Sequence, residues 1–261
     1  MAPLAFITGA SSGIGQALAA RYLRAGWRLV LVARRGADLR NWAAANDAGG
    51  QRVTVHAVDV SDCYAIAAAG RRCVEQQGVP DVVIANAGIS LGIDTAEFAD
   101  LSVLRQTFET NVLGLAATFQ PFIRPMCNRR SGALVGMASV AGIRGLPGHA
   151  AYCASKAAAI SYCESVRGEC RAHGVKVVTI VPGYVDTPLT RQNRYRMPFL
   201  MRPEAFAERA FEAIAAGDTR RVIPWQMGIV ARLLGAMPDG LFDRLAAGQP
   251  RKHRATHEPE G

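Results

Sequence analysis

Tyr152 and Lys156 lie four residues apart in the stretch Ala151-Tyr152-Cys153-Ala154-Ser155-Lys156-Ala157. On a helix this spacing places the two side chains on one face, one turn apart. An ammonium group close to a phenol favours the ionised phenol, so Lys156 is expected to lower the pKa of Tyr152. A phenol that ionises near neutral pH can donate and accept a proton in catalysis. The pair is therefore a candidate for acid–base chemistry.

A glycine-rich turn follows the first apolar run, in the sequence Thr8-Gly9-Ala10-Ser11-Ser12-Gly13-Ile14-Gly15. Glycines at these positions let the backbone approach a pyrophosphate, and the start of the next helix faces the anion. The spacing differs from G-x-G-x-x-G and from a P-loop, which requires Gly-Lys-Ser/Thr. A turn without a ligand is the alternative, but the strand–glycine–helix context favours dinucleotide binding.

The end of the second apolar run indicates which dinucleotide. Its sequence is Val32-Ala33-Arg34-Arg35, with Ala33 where a carboxylate would bind the ribose 2′-hydroxyl of NAD. Guanidinium groups instead suit a 2′-phosphate, because they form paired, charge-assisted hydrogen bonds to its oxygens. The sequence predicts that NADP(H) is preferred, with NAD(H) as the alternative. Arg34 is the stronger candidate, and a solvated surface residue is the alternative interpretation of Arg35.

The elements that must position these residues alternate between apolar strands and longer helices. Near-continuous apolar strands predict a parallel sheet covered on both faces, which is the α/β doubly wound Rossmann-type fold with strand order 3-2-1-4-5-6-7. We expect one domain over residues 1–247 and a disordered tail over 248–261. The predicted strands are 4–8, 28–33, 52–58, 81–85, 132–138, 175–181 and 221–223, and the predicted helices are 15–25, 37–48, 62–77, 102–124, 152–173 and 203–216.

Two variable segments are predicted to form the substrate end. Residues 188–203 are expected to cover the active site as a lid, and its arginines could recruit an anionic group, although a solvated surface is favoured; these are Arg191, Arg194, Arg196 and Arg202. Residues 225–247 predict two short amphipathic helices broken at Pro238. Three roles are possible for these helices. A wall of the substrate pocket is preferred over an oligomer contact, and a peripheral membrane contact is not favoured.

Composition excludes several other functions. The net charge is +9, but the arginines are scattered without interleaved aromatic residues, which argues against nucleic-acid binding. The five histidines do not cluster, and the six cysteines show no metal-ligand or paired spacing, so no metal site is expected. Free thiols, no signal peptide and no apolar run of about 20 residues predict a cytoplasmic protein.

Several motifs, in order and spacing, resemble the short-chain dehydrogenase/reductase family in its compact form. They are the turn at 8–15, Asn86-Ala87-Gly88, Asn111, Ser139 and Tyr152-x3-Lys156, and the resemblance extends from residue 4 to about 190. It implies an oxidoreductase that transfers a hydride between the nicotinamide of NADP(H) and a small carbonyl or secondary alcohol substrate. It also implies a homodimer or homotetramer formed through helices 102–124 and 152–173.

The resemblance assigns a role to each of four catalytic candidates. Tyr152 would be the general acid in reduction and the general base in oxidation. Lys156 would hold the nicotinamide ribose hydroxyls and lower the Tyr152 pKa. Ser139 would hydrogen-bond the substrate oxygen, and Asn111 would anchor a water that passes protons to Lys156. For Asn111 the alternative is a core amide.

The same resemblance implies a larger set of cofactor contacts. Asp59 would accept a hydrogen bond from the adenine amino group, and Val185 and Thr187 would contact the carboxamide. Asn86 could also be a structural cap. A catalytically silent dinucleotide sensor or scaffold remains the alternative function. The full predicted set is Gly9, Ser11, Ser12, Gly13, Ile14, Gly15, Arg34, Arg35, Asp59, Val60, Asn86, Ala87, Gly88, Tyr152, Lys156, Pro182, Val185 and Thr187.

Overall fold

A computed structural model of the chain describes residues 2–193, 195–248, 252 and 254. Seven strands form one sheet in the order β3-β2-β1-β4-β5-β6-β7, and every ladder is parallel. The predicted strand order is confirmed. The strands are β1 (Leu4–Thr8), β2 (Arg28–Ala33), β3 (Val53–Ala57), β4 (Val82–Ala85), β5 (Ala133–Met137), β6 (Lys176–Pro182) and β7 (Arg220–Ile223).

Nine α-helices connect or follow these strands within the described residues. The predicted helix 203–216 has the expected bounds, and the others differ at their ends by a few residues. The helices are α1 (Gly13–Arg24), α2 (Gly36–Asn46), α3 (Cys63–Gln77), α4 (Leu101–Phe108), α5 (Gly114–Arg129), α6 (Ala150–Arg171), α7 (Pro203–Ala216), α8 (Trp225–Ala236) and α9 (Asp239–Ala246).

The apolar strands bury side chains on both faces of the sheet. In β1, Ala5 and Ile7 belong to one core layer, whereas Leu4 and Phe6 belong to the other. The alternation follows from the two-residue period of a strand. Helices α1 and α7 cover the first layer, and α3, α5 and α6 cover the second. Burial on both faces explains why the strands are uniformly apolar.

The helix predicted over 102–124 is interrupted. Helix α4 ends at Phe108, and one π-helical turn, Glu109–Leu113, joins it to α5, which begins at Gly114. A π turn holds one residue more than an α-helical turn and is often found at functional sites. This turn contains Asn111, which is buried.

The C-terminal segment forms the two predicted short helices, α8 and α9, on either side of Pro238. Arg144 fixes them to the β5–α6 connection. Its guanidinium donates to the carbonyl oxygen of Met237 at 2.9 Å and to Asp239 Oδ1 at 2.7 Å, and it lies 4.4 Å from the centre of the Phe242 ring. No helix in the described part of the chain is long and apolar enough to cross a membrane. Of the predicted tail, only Gly248, Lys252 and Arg254 are among the described residues.

Candidate active site

A cavity of about 440 Å³ lies at the carboxyl ends of the strands. This is where parallel α/β sheets bind ligands, beside the point where strand order reverses between β1 and β4. Every predicted cofactor residue except Gly15 lines it. Lining residues that the sequence did not single out as contacts are Ala33, Val58, Ile89, Thr110, Met137, Ala138, Gly183, Pro188, Leu189, Thr190 and Gln192.

The glycine turn depends on the absence of side chains. Gly9 and Gly13 have φ angles of +67° and +57°, a region that favours glycine. A Cβ on Gly15 would lie 2.2 Å from the carbonyl oxygen of Gly9, so the turn and the first turn of α1 pack without room for a methyl group. The backbone at the start of α1 is therefore open to the cavity, which fits an anionic pyrophosphate.

Asn86 ties the end of β4 to this turn. Its Nδ2 donates to the carbonyl oxygens of Thr8 at 3.0 Å and Gly9 at 3.3 Å. In return, Thr8 Oγ1 accepts hydrogen bonds from the backbone N–H groups of Asn86 and Ala87. Asn86 thus has the structural role that was weighed for it, and it lines the cavity as well.

The two arginines after β2 have different partners. Arg34 Nη1 lies 3.7 Å from Asp59 Oδ2, and the Arg34 side chain is 62% exposed whereas that of Asp59 is 38% exposed. Arg35 Nη2 donates to the hydroxyls of Ser11 and Ser12, each at 3.1 Å, and its Nε donates to Asp38. Arg35 is therefore bound to the glycine turn rather than simply solvated. Both guanidinium groups face the end of the cavity between β1 and β2.

Ser139 and Tyr152 both line the cavity. Ser139 follows β5, and its Oγ accepts from the N–H of Ala141 at 3.2 Å. Burial is the largest effect on Tyr152 and raises its pKa, while the neighbouring Ser139 hydroxyl opposes this. The expected net lowering of the Tyr152 pKa is therefore wrong for this arrangement, because desolvation of the phenolate outweighs the favourable contacts.

Lys156 lies beneath the Tyr152 ring, with Nζ 5.8 Å from the ring centre. The ammonium donates to the carbonyl oxygen of Met137 at 2.8 Å, at the end of β5. It is buried, and burial lowers its pKa to about 8. A Cβ on Gly88 would lie 3.4 Å from Nζ and 3.1 Å from Asn111 Oδ1, so these two side chains flank the Gly88 backbone.

Asn111 connects three elements through its amide. Its Oδ1 accepts from the N–H of Ile89 at 2.8 Å, and its Nδ2 donates to the Ile89 carbonyl and to Ser155 Oγ, each at 2.9 Å. Ser155 in turn donates to the carbonyl oxygen of Tyr152 at 2.8 Å. Asn111 lies behind the cavity wall, where Ile89 and Thr110 line the surface. It is a satisfied core amide, and its role in holding a water stays a prediction.

An aromatic group near the lid was missed from the sequence. His149 Nε2 lies 3.3 Å from the Tyr195 hydroxyl, and the Tyr195 and Tyr184 rings are 6.2 Å apart. Burial raises the Tyr195 pKa to about 12, and charge on Tyr184 and Tyr152 adds to the rise, so the phenols lie close together. Only the position of His149 three residues before Tyr152 could have signalled this group.

Two of the four lid arginines pair with neighbouring acids. Arg191 Nε donates to Asp186 Oδ1 at 2.8 Å, and Arg202 lies 3.5 Å from Glu204. Arg194 lies outside the described residues. In the part of the chain that is described, no group of three or more His, Cys, Asp or Glu side chains could hold a metal ion.

Comparisons with known proteins agree with this geometry. A profile of the family described as short chain dehydrogenase matches residues 3–197. An uncharacterized oxidoreductase of Myxococcus xanthus is 38% identical over 242 residues, which cover 93% of this chain and 95% of that protein. A short-chain dehydrogenase structure from Streptomyces avermitilis has a TM-score of 0.80 and 26% identity, covering 95% of both chains.

A second solved structure is an alcohol dehydrogenase from the archaeon Thermococcus sibiricus, complexed with 5-hydroxy-NADP. Its TM-score is 0.76 at 26% identity, covering 85% of this chain and 96% of that one. The sheet order and the cavity at its carboxyl edge are those of a dinucleotide-binding fold, and the family match with the similar oxidoreductases identifies the chain as an oxidoreductase. The chain belongs to the short-chain dehydrogenase family.

Proposed function

We propose that the protein is an NADP(H)-dependent carbonyl reductase or alcohol dehydrogenase in which Tyr152 is the general acid and base. One observation carries the proposal. Ser139 and Tyr152 line the same cavity as the glycine turn and Lys156. The cavity thus combines a pyrophosphate cradle with two hydroxyl donors for a developing alkoxide.

The residues present fit a nicotinamide dinucleotide. The turn at 8–15 would hold the pyrophosphate, and Lys156 the nicotinamide ribose. Asp59, Val185 and Thr187 would contact the adenine and carboxamide ends. Arg34 and Arg35 support a 2′-phosphate, as does the complex of the similar Thermococcus enzyme with 5-hydroxy-NADP. When bound, the nicotinamide supplies or accepts the hydride.

The protein's own residues position the substrate and move the proton. Ser139 and Tyr152 donate hydrogen bonds to the substrate oxygen, and Tyr152 gives up its phenolic proton as negative charge develops there. The raised pKa of Tyr152 keeps the phenol protonated for reduction. Lys156, charged below its pKa of about 8, stabilises the phenolate that remains. The outward faces of the region 102–124, which contains nearly all of α4, the π turn and most of α5, and of α6 are the proposed surfaces of a homodimer or homotetramer.

The test replaces the proposed proton donor. Purified wild type should oxidise NADPH with at least one member of a panel of ketones, aldehydes and 3-oxoacyl thioesters. Tyr152→Phe should lower kcat by about 10²- to 10⁴-fold while NADPH binding, followed by its fluorescence, is unchanged. Tyr64→Phe is the matched control, because Tyr64 is 89% exposed on the surface.

A fully active Tyr152→Phe variant would overturn the assignment of the general acid. NADPH binding without turnover on any panel member would instead favour the dinucleotide sensor.

A further inference from the structure

The end of the chain returns to the connection between β4 and α4. Arg254 Nε lies 2.9 Å from Asp100 Oδ2, and the Asp100 carboxylate is buried. The Arg254 backbone also forms an isolated bridge with Gly92. The ion pair with this buried carboxylate and the backbone bridge together hold Arg254 against the β4–α4 connection.

Two residues before Arg254, Lys252 reaches the same connection. Its Nζ donates to Ser90 Oγ at 2.7 Å, and its side chain is half-buried. Burial lowers the Lys252 pKa to about 8. Among the described residues, no carboxylate lies within ion-pair distance of this ammonium. A half-buried cation whose partner is a neutral hydroxyl favours an anionic ligand, because the anion would offset the desolvation of the charge.

The position of Lys252 relates it to the reacting groups. Ser90 follows Ile89, which lines the cavity, and Gly88, whose backbone lies against Lys156 Nζ. The charge on Lys252 also lowers the pKa of His149, which comes directly before α6. Lys252 therefore contacts the β4–α4 connection one residue beyond the cavity wall at Ile89, and its charge acts on His149.

His149 pairs with Tyr195 and is affected by the charge of Lys252. His149 Nδ1 lies 3.1 Å from the carbonyl oxygen of Pro147, and its Nε2 lies 3.3 Å from the Tyr195 hydroxyl. Burial lowers the pKa of His149 below its usual value, so the imidazole is neutral at pH 7, and donation from Nδ1 to that carbonyl leaves Nε2 to accept from Tyr195. Lys252 is then a cation of this region whose hydrogen-bond partner is the neutral Ser90 hydroxyl. The lid arginines Arg191 and Arg202 are paired with acids.

We propose that Lys252, supported by Ser90, binds a carboxylate on the substrate while the carbonyl to be reduced lies at Ser139 and Tyr152. The preferred substrates are then oxo acids and their hydroxy acid counterparts. The reduction in this inference rests on the proposed function, whereas the preference for acids rests on Lys252. The Ser90 hydroxyl, which accepts from Lys252, retains its own hydrogen to donate to the same carboxylate.

The kinetic test compares acids with their neutral esters. Wild type, Lys252→Met and Lys252→Gln are assayed with NADPH on a series of ω-oxo acids and the matching methyl esters. Both variants should lose about 10- to 100-fold in kcat/KM on the best acid and change little on its ester, as expected for a charge-assisted contact. Lys176→Met, an exposed lysine at the start of β6, is the control and should match wild type.

A binding measurement separates this inference from the proposed reaction. Calorimetry on the protein saturated with NADP⁺ should detect hexanoate binding to wild type but not to Lys252→Met. The neutral analogue hexanamide should bind wild type and the variant with equal affinity. Equal losses on acids and esters, or hexanoate binding unchanged by Lys252→Met, would overturn the inference. If wild type reduces no substrate but binds hexanoate through Lys252, the proposed reaction fails and the anion site stands.

Discussion

The ammonium nitrogen of Lys156 lies 2.8 Å from the carbonyl oxygen of Met137. The bond joins helix α6 to the carboxyl end of β5, where Ser139 follows two residues later. A buried ammonium with a backbone carbonyl as acceptor is held in place, but it loses much of its hydration. Lys156 therefore fixes the geometry of the site at a cost to the stability of its own charged form.

The first prediction concerns the pH dependence of stability. Burial lowers the Lys156 pKa from 10.5 to about 8 in the folded state. Between these pH values the unfolded chain binds more protons than the folded one, so the free energy of unfolding rises with pH in this window. Relative to Lys156→Met, wild type without cofactor should gain on the order of 3 kcal/mol from pH 8 to 10.5.

Urea unfolding at a series of pH values measures this difference. Lys176→Met should keep the wild-type slope, because Lys176 is exposed. If the free energy of unfolding changes with pH equally in wild type and Lys156→Met, the pKa of Lys156 is not lowered by burial.

The second prediction concerns cofactor choice. Arg34→Asp places a carboxylate where a 2′-phosphate is expected and removes the partner of Asp59. It should reduce kcat/KM for NADPH by about 10- to 100-fold and affect NADH much less, because an Arg–phosphate contact is charge-assisted. Arg24→Asp, an exposed change of the same charge on α1, controls for net charge. A proportional loss with both cofactors would count against the 2′-phosphate site.

The third prediction concerns the Asn111 amide. Asn111→Asp keeps the shape and the oxygen acceptor but loses both N–H donors, leaving the Ile89 carbonyl and Ser155 without them. Each lost buried hydrogen bond costs about 1–3 kcal/mol, so the urea midpoint should fall clearly. The matched control is Asn46→Asp, which loses an exposed bond to Trp42 and should change little. Equal midpoints for the two variants would show that the amide does not hold the elements together.

The fourth prediction separates cofactor binding from helix propensity. Gly15→Ala places a methyl group against the Gly9 carbonyl and should weaken NADPH binding at least about 10-fold by displacing the turn. Gly168→Ala makes the same change inside α6, where open space surrounds the position. It should stabilise the protein by about 0.5–1 kcal/mol. Fluorescence titration measures NADPH binding, and thermal unfolding measures stability. If Gly15→Ala binds NADPH as tightly as wild type, the glycine turn does not hold the pyrophosphate.

The features that the sequence predicted are those set by local pattern. The apolar strands alternate with helices, and this alone predicts the sheet order. The glycine turn, Tyr152 and Lys156 belong to short motifs, so their approximate positions follow from the elements that carry them. The aromatic group was not predictable, because His149 and Tyr195 are brought together by packing across 46 residues. The direction of the Tyr152 pKa depends on burial, which a spacing rule does not contain.

Long-range partners of charged residues were equally hidden. Arg34 pairs with Asp59 because β2 and β3 are adjacent, although each residue was assigned separately to the cofactor. Lys252 meets Ser90 across 162 residues, within a stretch predicted to be a disordered tail. The π turn was also missed, since one extra residue leaves the composition of a long helix unchanged.

The π turn between α4 and α5 changes which side of the helix faces the core. One added residue rotates everything after it by about 100° around the axis. On either side of the turn, α4 packs against α6 and α5 packs mainly against α3. The extra residue cannot be deleted without turning the buried faces of Phe119 and Phe122 away from the core. The number of residues between Glu109 and Leu113 is thus constrained by the packing of α5.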